Sequence, residues 1–338
     1  MLRYAVRRLL IIPPQLLGIS LVTFVIIRQV PGNPARAQLG QFASQDAVQR
    51  LATYLGLNRP LPEQFLIYLK NLLRGDLGQS WFTGHSVSSD LLVRFPSTLE
   101  LITLGFLGSL IVAIPLGVLI SLRGAGFFGR IAERFSFVYG LMAGAIPDFW
   151  FALILVFVFF HLLGVVAAPV GQLDLAVNPP PRITGMLVLD SLLTFNWVAL
   201  LSAIGHLILP VATLVFVNAA PVLRMTRSSI ANVMDSDFIR FSRANGLPDK
   251  LIIRYALKNA LLPIITLSGV LYTILLSGAV LTETIFSWGG VGQYAVQSVV
   301  NADWFALQAV VLLTASFSLF VFLVLDLLYA VVDPRIKY

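Results

Sequence analysis

Six stretches of the chain stay apolar for about the 20 residues that a helix needs to cross a hydrocarbon core, rising about 1.5 Å per residue. They are Leu9–Ile27, Leu101–Leu122, Phe135–Leu163, Val198–Leu223, Ala260–Thr282 and Trp304–Leu325. Five hold no Asp, Glu, Lys or Arg, and the third holds a single acid, Asp148. Backbone groups cannot stay unpaired in lipid, so these runs are helices or strands of a closed barrel. Their apolarity is continuous rather than alternating, which excludes the barrel. The pattern predicts an all-α membrane protein with six transmembrane helices.

The polar intervals divide the chain further. Residues 1–29 read as an N-terminal anchor helix, 30–98 as a small extracytoplasmic cap, 99–332 as the transmembrane core and 333–338 as a tail. Breakers mark the cap at Pro31-Gly32-Asn33-Pro34 and Arg59-Pro60-Leu61-Pro62. Between them and the second span, Glu63–Arg74 carries Phe65, Leu66, Leu69, Leu72 and Leu73 at helical spacing. After the third span, Asn178-Pro179-Pro180-Pro181 is held extended. Ile183–Trp197 is amphipathic and predicted to lie along the outer interface, with a seventh crossing as the competing topology.

Composition agrees with this class: 58% of the 338 residues are hydrophobic and 12% are charged, about half the charge of a soluble domain. The absence of Cys excludes disulfides and thiol chemistry, and three His leave little for a metal. A basic lead of Arg3, Arg7 and Arg8, with Ala35-Arg36-Ala37 beyond the first span, resembles a cleavable signal. The apolar run exceeds the roughly 7–15 residues of a signal core, so a retained anchor is expected. With the N-terminus in the cytoplasm, 15 of the 23 Lys and Arg fall inside, and most of the rest lie in the one long loop, which translocates regardless of charge. Both termini are therefore expected in the cytoplasm.

One inner loop, 224–259, concentrates seven basic and three acidic residues. Within Met234–Ala244, Phe238 and Phe241 lie three apart while Arg240 and Arg243 occupy another face. Gly246 and Pro248 stop that helix, and a second helix over Asp249–Leu262 leads to Pro263. Two readings fit this pattern: a helix that docks into a groove on a partner, or an interfacial helix in a positive-inside loop.

Here the residues resemble a known family. Arg224-Met225-Thr226-Arg227-Ser228-Ser229, Asp237-Phe238-Ile239-Arg240-Phe241-Ser242-Arg243-Ala244-Asn245-Gly246-Leu247 and Ala256-Leu257-Lys258-Asn259-Ala260-Leu261-Leu262-Pro263 are similar to the coupling loop of ATP-binding-cassette importer permeases, in particular the dipeptide, oligopeptide and nickel branch. Arg3-Tyr4 with Arg7-Arg8-Leu9, Gly75-Asp76-Leu77-Gly78-Gln79-Ser80, His206-Leu207-Ile208-Leu209-Pro210, Leu281–Trp288, Asp326–Tyr329 and Asp333-Pro334-Arg335 extend the similarity along essentially the whole chain. Two departures stand out. Arg240-Phe241-Ser242 replaces the leading Glu-Ala-Ala of importer loops, and Gly289-Gly290 follows Trp288 where the family usually has Pro-Gly.

The resemblance implies a type I importer-permease architecture in a bacterial or archaeal cytoplasmic membrane. It implies a translocation pathway shared with a second, homologous permease, two cytoplasmic ATPases and an extracytoplasmic substrate-binding protein. The coupling helix, about 235–246, would engage an ATPase through Asp237, Phe238, Arg240, Phe241, Ser242, Arg243, Ala244 and Gly246. ATP and Mg would be bound by the partner ATPases, and this chain would bind no cofactor or metal. The chain has no Gly-x-x-x-x-Gly-Lys-Ser/Thr loop and no Gly-Lys pair, so it is not expected to be an enzyme.

Three residues are candidates for the pathway or its gate. Asp148, an acid within a span, should face the bundle or water; it could attract a substrate amino terminus or bond backbone groups freed at Pro147. His206, four residues before Pro210, fits a structural hydrogen bonder better than a proton carrier. Glu283 at the outer end of the fifth span fits an outer gate, a receiver for the binding protein, a cap or an ion pair. Asp326 is expected to pair with a basic group. The rival functions are a proton-coupled secondary transporter using Asp148 or His206, and a membrane scaffold without transport. A secondary transporter would usually show internal repeats, and no convincing one is found.

Overall fold

The computed structural model describes residues 2–29, 34–40, 42–122 and 126–332. Helix α1 (Leu2–Gln29) is followed by α2 (Pro34–Leu39), α3 (Gln45–Tyr54), α4 (Leu61–Leu73) and α5 (Val87–Leu122). The third span is built from α6 (Phe127–Ala145) and α7 (Asp148–Leu155), which continues as a π-helical turn, Val156–Leu162. Then come α8 (Leu187–Leu193), α9 (Trp197–Met234), α10 (Asp237–Ala244), α11 (Asp249–Ile285), α12 (Val291–Val300) and α13 (Trp304–Val332). Five of these helices are long and apolar enough to cross a membrane, and the α6–α7 pair supplies a sixth span. The described residues form no β-strand beyond one isolated bridge, between Gln79 and Ser86.

The unbroken third span expected over Phe135–Leu163 does not form. Its two halves are bent by 104° at Ile146-Pro147. A proline ring pushes the preceding residue out of the helical region, and Ile146 is accordingly extended at φ −89° and ψ 120°. The seventh crossing does not form either, because α8 has only seven residues. Arg182 ties the proline-rich segment before it to α5 by donating to the carbonyls of Leu92 (2.7 Å) and Val93 (3.2 Å).

The core sits where α5 and α9 cross α11. Leu101, Ile102, Leu207, Leu214, Leu275, Leu276 and Trp288 form one buried cluster. Close approach depends on small residues: a Cβ at Gly105 would lie 2.8 Å from the Leu214 side chain, and one at Gly117 would lie 2.8 Å from Thr226. Membrane helices pack by such contacts because lipid provides no hydrophobic drive between them. On the other side α13 carries α1, and the two are joined by an ion pair between Arg8 and Asp326 at 3.0 Å. This is the basic partner expected for Asp326.

The outer faces of the spans remain apolar. Leu10, Val22, Ile26, Ile111, Phe137, Leu201 and Phe320 are all exposed, as a lipid-facing surface requires. The bundle therefore has two polar ends. One carries α2–α4, α8 and α12, and the other carries α10.

Candidate functional site

Helix α10 stands between two long helices, and its sequence fixes which face it shows. Ile239 is fully buried against Ile252 and Ala256 of α11, and Val233, Met234 and Leu247 pack around them. Ser242 is also turned inward, its hydroxyl donating to the Phe238 carbonyl at 2.9 Å. Phe238 and Phe241 point the other way and are 49% and 71% exposed. The two aromatics thus do not hold α10 to the bundle; Ile239 does. Phe238 touches Tyr255 edge-on, with ring centroids 6.1 Å apart. Asp237, Arg240, Arg243 and Ala244 are exposed, and Arg240 pairs loosely with Asp237 at 3.4 Å.

The two ends of α10 differ: the first turn has no side-chain cap, and the last is closed by backbone hydrogen bonds. Asp237 places an acid in the first turn, where the helix dipole favours it. At the other end Gly246 takes φ +74°, a left-handed conformation natural to glycine. Its N–H donates to the Arg243 carbonyl (2.9 Å), and the Leu247 N–H donates to that of Ser242 (3.2 Å). This is the paired closure of a Schellman motif. The result is a short element with exposed aromatics beside exposed cations.

At the opposite end, Glu283 lies in the last turn of α11 and is fully buried. It accepts hydrogen bonds from the Thr98 hydroxyl on α5 (2.6 Å) and the Gln293 N–H on α12 (3.0 Å). Thr98 in turn accepts from the Val291 N–H at 2.8 Å. The turn between α11 and α12 approaches so closely that a Cβ at Gly290 would collide with both Thr98 and Glu283. Trp288 completes the joint, donating from its indole to the Ser97 carbonyl at 3.0 Å. Glu283 therefore clamps α5, α11 and α12 together.

The other candidates lie apart from it. Asp148 opens α7 at the bend, half-buried, and accepts from the Phe149 N–H at 2.8 Å. Among the described residues it has no ion-pair partner. His206 is buried, with Nδ1 2.9 Å from the Ser202 carbonyl and Nε2 3.7 Å from Asp174. Neither these two residues nor Glu283 lines the apolar cavity of about 530 Å³ between α5, α11 and α13.

Several buried carboxylates escaped the sequence reading. Glu100 of α5 accepts from the N–H groups of Leu187 (2.9 Å) and Val188 (2.7 Å), capping α8 from another helix. Asp303 caps α13 through Ala306 and also holds Ser80 and Phe82. Asp90 accepts from Thr83 and from the Tyr294 hydroxyl, and burial pushes the Tyr294 phenol up from its ordinary value. Burial alone would raise Asp190, but donation from the Thr184 N–H and hydroxyl and from the Gly185 N–H outweighs it, holding the carboxyl below the usual range. Of these only Asp303 had a local signal, an acid directly before an apolar helix. The partners of the others lie far along the chain or in loops.

A bundle of membrane helices with a short two-faced helix at one end is the arrangement that the resemblance to importer permeases implies. Comparison with known proteins agrees. The chain belongs to the family of binding-protein-dependent transport system inner membrane components, whose model matches residues 113–338, while the model of the N-terminal part of such components matches residues 1–102. It is 37% identical to a dipeptide transport system permease of Alkalihalophilus pseudofirmus over the full length of both chains. It is also 37% identical to a di/tripeptide transport system permease of Pseudomonas aeruginosa, covering 100% of this chain and 99% of that one. A probable D,D-dipeptide permease of Escherichia coli is 39% identical over 94% of this chain and 93% of its own length. The fold matches a chain from inward-facing crystals of the MetNI methionine ABC transporter, with a TM-score of 0.51 and 16% identity, over 72% of this chain and 96% of that one. The protein is a multi-pass permease subunit of an ATP-driven importer, and ATP hydrolysis belongs to separate subunits.

Proposed function

We propose that the chain forms half of a passage for di- or oligopeptides, beside a second homologous permease, above two cytoplasmic ATPases and beneath a substrate-binding protein. The cap and α12 face outward, both termini and α10 face the cytoplasm, and ATP with Mg is bound by the ATPases. Helix α10 seats on one ATPase, with Phe238 and Phe241 entering its cleft and Arg240, Arg243 and Asp237 at the rim. Ser242 and Gly246 hold the shape, and Ala244 leaves room for close approach. The observation that carries this reading is the exposure of both aromatics on a helix anchored by the fully buried Ile239. Full-length similarity to peptide permeases supports the cargo.

Within the passage, Asp148 at the bend attracts the cationic amino terminus of the cargo. Non-helical backbone at membrane depth is tolerated only in protein or along a watery cavity, and a half-buried acid with no ion-pair partner among the described residues suits the second. Glu283 holds the outer end of the gate closed through Thr98, while His206 has a structural part. The test is uptake of a labelled dipeptide into vesicles holding the whole assembly. Uptake should require ATP, and replacing Ala244 and Gly246 with bulky residues should abolish it while ATPase activity persists without stimulation. Uptake that survives without ATP and collapses with the proton gradient would establish a secondary transporter instead.

A further inference from the structure

On the cap side, α1, α4 and the start of α13 enclose a cavity of about 430 Å³, closed by α3 and the turn at Asp76–Gln79. That volume lies in the range of small-molecule sites. Phe24, Ile67, Leu77 and Phe305 supply an apolar wall. The polar groups in the rest of the wall are arranged unusually.

Gln308, in the second turn of α13, is only 7% exposed, yet its Nε2 has no hydrogen-bond partner among the described residues. The Tyr68 hydroxyl lies beside it and takes this donor only outside good hydrogen-bond geometry. Buried donors are almost always well paired, so this one has capacity left for a better-placed acceptor in the cavity. Gln64 presents the reverse case. Its Nε2 donates to the carbonyls of Leu57 (3.1 Å) and Arg59 (2.8 Å), which fixes the orientation of the amide. Its Oε1 is left buried and unpartnered among the described residues. Arg28 lays its guanidinium over the Phe24 ring at 5.2 Å, and Asp76 accepts from the Gly78 N–H at 2.9 Å. Neither of these charges forms an ion pair among the described residues.

We propose that this cavity binds a compact zwitterion, its oxyanion held by Arg28 and Gln308 and its ammonium by the Gln64 carbonyl oxygen and Asp76. The Gln64 oxygen and the Gln308 amide then find complements, and Arg28 and Asp76, which form no ion pair among the described residues, are answered with opposite signs. Two sources share this chemistry: the phosphoethanolamine headgroup of a membrane lipid, since α1 and α13 are spans, and a free dipeptide in solution. The site stands whichever solute the passage carries, so its failure would leave the importer reading untouched.

Native mass spectrometry on the full-length protein, released from nanodiscs of mixed phosphatidylethanolamine and phosphatidylglycerol, tests the first source. Calorimetric titration with dialanine tests the second. Retention of one phosphatidylethanolamine, lost in Gln308→Leu and Arg28→Gln, establishes the lipid headgroup. Dialanine binding weakened about tenfold or more by the same changes establishes the soluble source. Arg28→Gln leaves the buried Gln308 in place, so it decides the matter even if Gln308→Leu does not fold. Absence of both ligands, retention of phosphatidylglycerol instead, or binding indifferent to both substitutions overturns the proposal.

Discussion

The two ends of the bundle solve the problem of polar groups in opposite ways. At the cap end, Glu283, Glu100, Asp90, Asp190 and Asp303 are all buried, and each carboxylate is met by hydroxyls or backbone N–H groups from another element or loop. At the α10 end the charged groups are exposed and the aromatic rings are left open. Buried carboxylates are costly unless fully hydrogen-bonded, so the first arrangement persists only as a rigid joint. Exposed aromatics cost little in a stable helix and gain when a partner covers them. One end is closed on itself, and the other leaves its aromatic rings uncovered.

Breaking a clamp should do the most damage. Glu283→Leu strands the Thr98 hydroxyl and the Gln293 N–H in a buried joint, a loss of about 2–4 kcal/mol. The apparent melting temperature, followed by the intrinsic fluorescence of the five tryptophans, the buried Trp288 among them, should fall by several degrees; an unchanged melt would mean the clamp bears no weight. At the other end, Phe238→Ala with Phe241→Ala should leave the melt within about 0.5 kcal/mol of the parent, as exposed positions do. Affinity for the ATPase, measured by co-purification at graded concentrations, should nevertheless drop about tenfold or more. Equal losses in both assays would erase the contrast between the ends.

The smallest effect sharpens the first half of the comparison. The Asp190 carboxyl is held below its usual range, so its contribution is complete above the unfolded value of about 3.9 and is lost as pH falls through the lower folded value. The gap in melting temperature between the parent and Asp190→Asn should therefore be constant from pH 7 to about 5 and shrink below about 4. A gap that persists at pH 3 would show that the carboxylate charge plays no part.

The spans were legible because lipid demands unbroken apolarity, and α10 because its boundary residues are local. Helix α5 shows where hydropathy stops informing: it begins at Val87, and its first turns carry Asp90, Arg94, Ser97 and Glu100, so they do not read as a continued span. Prolines were equally ambiguous. Pro210, Pro221 and Pro263 sit inside unbroken helices while Pro147 splits one, a choice made by packing rather than by the residue. For α10 the spacing separated Phe238 and Phe241 from Arg240 and Arg243, but the buried face is a third one, carrying Ile239 and Ser242, whose pairing gives no strong apolar signal. The Glu283 clamp was out of reach for another reason. Its partner Thr98 lies 185 residues away on α5.

Helices α9 and α11 run without interruption for 38 and 37 residues. At about 1.5 Å per residue each is about 55 Å long, well beyond a hydrocarbon core of about 30 Å. Swinging such a rod by about 5° moves its far tip by about 5 Å relative to the near one. Since α10 bridges the near tips of α9 and α11, a tilt imposed there is carried along both rods to the end where Glu283 ties α11 to α5 and α12.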